Sequence, residues 1–132
     1  MEKELIKLLL NKNFYNKNKS RLTKEFFTNG TGALYETIKN AHEDSDKDLS
    51  ISEVSTLHME VYNPASTRAS KENFTVLIDE IKELELPNEK IANNIIRSLF
   101  KRRIANKIAV LATEIYNGRD TDFTEIKKQL DI

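Results

Sequence analysis

The chain is 132 residues long, the usual size of one domain, so it can bury a real core but has no room for two independent ones. Its 21 basic residues match 21 acidic ones, which argues against a dedicated nucleic-acid binder, since such domains carry a large positive excess, but leaves a local basic face open. Cysteine is absent, which excludes disulfides, thiolate metal sites and thiol catalysis and fits a reducing, cytoplasmic setting.

Three Gly and two Pro are few for a chain of strands and turns, so the composition points to an all-α fold. The earliest apolar run, Leu8-Leu9-Leu10 between Lys7 and Asn11, is far too short for a signal peptide or a membrane span.

A first helix is expected over 2–10, with Leu5, Leu8 and Leu9 at helical spacing. The Asn- and Lys-rich stretch Asn11 to Ser20 reads as a loop or broken turn, with Phe14 and Tyr15 folding back onto the core. Phe26 and Phe27 lead to a flexible spot at Asn29-Gly30-Thr31-Gly32, and Leu34, Ile38 and Ala41 then mark a second helix ending near His42. Glu43 to Asp48 reads as a solvated acidic loop. Ser50 and Glu53 form a capping box, each satisfying the other's free backbone donor at a helix start. The apolar stripe Val54, Leu57, His58, Val61 continues to Tyr62 before Asn63-Pro64 stops it. Phe74, Leu77, Ile78, Ile81 and Leu84 give the cleanest amphipathic helix.

Asn88 is a plausible N-cap for the last long segment, Glu89 to Asn117, which holds no Pro or Gly and ends before Gly118, a residue suited to a helix C-terminus. As one helix it would be about 43 Å long, more than a compact body of this size covers. Asp122 and Glu125 offer a capping box for a returning helix with Phe123, Ile126 and Leu130. The expected architecture is therefore a small helical head over 1–87, then a long helix and C-terminal helical hairpin over 88–132, one structural domain overall.

Candidate chemistry is thin. Asn29-Gly30-Thr31-Gly32 lacks the strand, the glycine spacing and the Lys-Ser/Thr pair of a phosphate loop. Asp44, Asp46 and Asp48 alternate as the start of a calcium loop does, but Leu49 stands where Gly is needed and Ser55 where a closing Glu is needed. His42 and His58 are not spaced as a metal pair, and His58 reads as a packed, hydrogen-bonded core residue. No nucleophile elbow or Ser-x-x-Lys surrounds any Ser. No catalytic, cofactor-binding or metal-binding residue is assigned, and the chain is not expected to be an enzyme.

Two features of the long helix carry the functional reading. The apolar stripe Ala105, Ile108, Ala112 and Ile115, widened by Leu111 and Tyr116, suits self-association through the hairpin, with Phe123, Ile126 and Leu130 packing from the other arm. Arg97, Lys101, Arg102, Arg103 and Lys107 concentrate positive charge, as either the solvated side of a long helix or a contact for an acidic protein or a nucleic-acid backbone.

The order of these elements carries a resemblance: Leu8-Leu9-Leu10, Asn13-Phe14-Tyr15, Glu25-Phe26-Phe27, the Leu34-Tyr35-Glu36-Thr37-Ile38 helix, the Ser50-capped helix, a fourth amphipathic helix, and Leu99 through Ile108. Over roughly Glu4 to Leu130 the chain resembles the N-terminal domain of DnaB-family replicative DNA helicases, most of all those of T-even-like phages. The resemblance implies a non-catalytic domain whose hairpins pair into a collar above a hexameric ATP-dependent motor ring, itself a separate domain. It also implies docking of a primase or helicase loader, DNA contact only through the parent protein, no membrane, and residence in a bacterial host's cytoplasm. The alternative is a small helical nucleic-acid-binding or regulatory protein using the basic face.

Overall fold

The computed structural model describes residues 1–118 and Lys128. The fold is all-α. Its elements are α1 (Glu2–Leu9), α2 (Lys12–Asn18), a 3-10 turn (Lys24–Phe26), α3 (Asn29–Asp44), α4 (Ile51–Leu57) running on into a π-turn (His58–Tyr62), α5 (Arg68–Glu83) and α6 (Glu89–Tyr116). The chain divides into two compact units, Met1–Asn93 and Asn94–Ile132. The division falls inside α6, where Ala92 is fully buried and Asn93 accepts a hydrogen bond from Asn18 Nδ2 of α2 (2.8 Å).

In the first unit α3 is central, touching α1, α4 and the 3-10 turn, while α5 packs on α1 and α4. Its core is built from Leu34, Ile38 and Ala41 of α3, Leu5, Ile6, Leu8 and Leu9 of α1, Val54 of α4, and Phe74, Ile78 and Ile81 of α5. Apart from Ala41, each such side chain contributes about 1.5–3 kcal/mol by leaving water.

Charged side chains close helix ends contributed by other elements. The Lys7 ammonium donates to Lys82 O (3.1 Å) and to Leu84 O at the end of α5. Lys12 does the same for α3, donating to His42 O and to Ser45 O (2.8 Å). Glu2 accepts from Thr28 N–H and Thr31 Oγ1 at the start of α3. Desolvation pushes the Glu2 carboxyl up, but the hydrogen bonds from Thr28 and Thr31 together outweigh it and hold the pKa below its ordinary value.

Three expectations need correction. Asn11 to Ser20 is not a loop: Asn11 Oδ1 accepts from Phe14 N–H (3.0 Å) and starts α2. Phe14 and Tyr15 are buried, as the sequence suggested. Asn29-Gly30-Thr31-Gly32 is the first turn of α3 rather than a flexible spot; a Cβ on Gly32 would meet Lys24 Cγ at 3.4 Å, so the 3-10 turn lies close against it. Val61 leaves the stripe begun by Val54 and is exposed, because the π-turn shifts the phase of the helix. The Ser50–Glu53 capping box forms as expected.

Candidate functional site

The absence of Gly and Pro from 88–117 lets α6 run unbroken for 28 residues. Asn88 Oδ1 accepts from Lys90 N–H (2.9 Å) and Ile91 N–H (3.3 Å), the expected cap. Gly118, with φ 75°, turns the chain out of the helix, and its N–H donates to Ile115 O (3.1 Å).

Within the second unit, Ile108, Leu111 and Ile115 lie in one half-buried row with Ile104, at the i, i+4, i+7, i+11 positions of a helical seam. Ala105 and Ala112 are exposed on the neighbouring strip, and Tyr116 is 90% exposed. Phe123, Ile126 and Leu130 lie outside the described residues. The covered side of α6 also turns along its length. Ala92 and Ile96 are buried, and their direction lies about a third of a turn around the cylinder from the Ile104–Ile115 row. One helix thus carries two apolar seams of different phase.

Arg97, Lys101, Arg102 and Lys107 are exposed, and Arg103 is half-buried. No acidic residue occurs between Glu89 and Glu114. None of the four exposed cations makes an ion pair among the described residues.

The first unit holds a cavity of about 450 Å³ that the sequence did not announce, lined among others by Asn29, His58, Asn63, Ser66, Asn73 and Phe74. The π-turn forms part of its wall through His58 and Met59. Asn63 N–H reaches back five residues to His58 O (2.9 Å), which brings the Asn63 amide to 3.5 Å from His58 Nε2. His58 is fixed by Thr37 Oγ1 at 2.9 Å from Nδ1 and by stacking on Phe74, ring centroids 3.9 Å apart. No charged side chain lines the cavity. Its amides, hydroxyls and imidazole share the wall with Gly30, Ala33, Met59, Phe74 and Leu77. The one available signal was the five-residue spacing of His58 and Asn63 ahead of Pro64.

His42 is buried as well. Its Nε2–H donates to Leu9 O (2.6 Å), the ring stacks on Tyr15 at 4.5 Å, and Nδ1 finds no hydrogen-bond partner among the described residues. Burial lowers the pKa of both His42 and His58, because a charged imidazole would lose its hydration.

The acidic loop is used structurally. Asp48 Oδ1 accepts from Lys12 N–H (2.9 Å) at the start of α2, and Leu49 N–H donates to Leu10 O (2.9 Å). Among the described residues no group of three or more His, Asp or Glu side chains is placed to hold a metal ion, and no helix is long and apolar enough to cross a membrane.

A scan against protein-family models finds no match to the chain. Searches of curated proteins and of solved structures likewise return no match.

Proposed function

We propose that the chain is an assembly and partner-docking module, without catalytic activity of its own, corresponding to the N-terminal domain of a DnaB-type replicative helicase. In this reading copies associate through the long helix, and the paired helices build a collar over a hexameric motor ring in a bacterial cytoplasm. The collar then receives a primase or a helicase loader.

The observation that carries the reading is the row Ile104, Ile108, Leu111 and Ile115 on an unbroken 28-residue helix. A continuous apolar seam at this spacing is how helices pair side by side, and half-buried isoleucines gain further stabilisation when a partner completes their cover. The order of elements and the residues quoted for the resemblance add the helicase identity to that geometry.

Light scattering across a concentration series tests it. The wild-type chain is expected to exceed its 15.3 kDa monomer mass increasingly with concentration. Replacing Ile108→Asp together with Ile115→Asp should return it to the monomer mass while the helical circular-dichroism signal is largely kept. An unchanged molar mass in the double variant would count against pairing through this seam.

A further inference from the structure

The half-buried row of α6 does not begin at Ile104. With alternate steps of four and three residues, Arg97 and Lys101 occupy the two preceding positions, so the seam reads Arg97, Lys101, Ile104, Ile108, Leu111, Ile115. We propose that a second copy of the chain lies along this seam in antiparallel order, with Ile104 of each copy against Ile115 of the other and Ile108 against Leu111. The inference rests on pairing through the seam, as proposed above, and adds its direction and register.

Both directions match the four apolar residues, so the charges decide between them. In parallel order every seam residue meets its own counterpart. Arg97 would face Arg97 and Lys101 would face Lys101 where the two helices come closest, and like charges repel there. In antiparallel order the register that matches all four apolar residues sets Lys101 level with Gly118 of the second copy, beyond its last helical residue, Tyr116. Arg97 lies further out still. A helix C-terminus carries partial negative charge, so both cations are then drawn to the end of the opposite helix rather than repelled by each other.

The flanks of the seam point the same way. At about 100° per residue, Lys107 and Glu114 lie about 80° to one side of the row, and Ala105 and Ala112 about 80° to the other. In a parallel pair unlike flanks meet, which sets Lys107 against Ala112 and Glu114 against position 119, past the end of α6. In an antiparallel pair like flanks meet. Lys107 then comes beside Glu114 of the second copy, twice by symmetry, and Ala105 beside Ala112, where short side chains let the helices approach. Lys107 makes no ion pair within its own chain among the described residues.

Pulsed electron paramagnetic resonance on the full chain tests the direction. The chain has no cysteine, so Ser98→Cys, at an exposed position of α6 off the seam, offers a single thiol for a nitroxide label. At about 1.5 Å per residue, antiparallel pairing at this register holds the two labels about 35 Å apart along the helix, whereas parallel pairing leaves them within about 20 Å. A distance near 35 Å at concentrations where light scattering shows pairing is the expected result. A paired chain with any clearly shorter distance overturns the antiparallel register and leaves pairing itself standing. A chain that stays monomeric at every concentration overturns both. In addition, Lys107→Glu sets like charges side by side twice in the antiparallel pair and should weaken association roughly 3- to 30-fold at low salt. The circular-dichroism spectrum should not change, because Glu is a good helix former. Association as tight as that of the wild type would overturn the Lys107–Glu114 contact and the register with it.

Discussion

The first unit and the outer part of α6 use their charged residues in opposite ways. In the first unit, Glu2, Lys7, Lys12 and Asp48 each reach across to a helix end made by another element and satisfy backbone groups that the helix itself leaves open. Beyond Asn94, Arg97, Lys101, Arg102 and Lys107 touch no acidic partner among the described residues. The same residue types thus serve as internal fastenings in one region and as an outward-facing field in the other. Composition cannot separate the two uses, because both contribute equally to a net charge of zero.

The sharpest way to break the comparison is to empty a position in each region. Ile38 is completely buried in α3, so Ile38→Ala should lower unfolding free energy by about 2–5 kcal/mol, whereas Ile108→Ala at a half-covered site should cost under about 1.5 kcal/mol in the monomer. Urea denaturation of both variants at low protein concentration checks the contrast.

Acid should come next. His42 and His58 are held below their ordinary pKa of 6.5 by burial. The unfolded chain therefore takes up protons first, and stability that is complete above about pH 6.5 is lost as pH falls through the depressed folded values. Urea midpoints measured from pH 7.5 downward should decline from about pH 6.5, and the decline should shrink in His42→Gln if that ring contributes. A flat profile across this range would contradict the burial of both rings.

The smallest effect compares two lysines. Lys12→Ala removes the donor that closes α3 and should cost about 1 kcal/mol, as lost caps generally do. Lys101→Ala should stay within about 0.5 kcal/mol, because that ammonium makes no ion pair among the described residues. Thermal melts of the two variants would separate fastening from field.

Much of the fold was legible because the physics behind it is local. The Ser50–Glu53 box, the Asn88 cap and the Gly118 terminus are satisfied within a few residues of chain, and the α5 stripe and the unbroken length of α6 follow from periodicity. What escaped notice depends on distant partners. Asn11, Asn13, Asn16 and Asn18 look like a loop, yet Asn18 is buried and bonded to Phe14 O (3.0 Å) and Asn93, and only the folded core makes a helix of that stretch. Gly30 and Gly32 read as freedom but sit in the first turn of α3, beside Leu77 and Lys24 respectively. Of the candidate seam, Ile108, Leu111 and Ile115 share a half-buried row with Ile104, and Ala105 and Ala112 lie exposed beside it. The cavity was missed because hydropathy carries no trace of a change from four- to five-residue hydrogen bonding.

That change at His58–Tyr62 also bears on how far the chain can vary in length. A π-turn is in effect an α-helix with one residue too many. Removing a single residue there would restore ordinary four-residue winding and abolish the five-residue turn that sets the Asn63 amide against the His58 ring. Homologous sequences that keep this cavity should therefore align without gaps from Ser50 to Pro64, and an apparent one-residue gap in that window would mark a relative that has lost it.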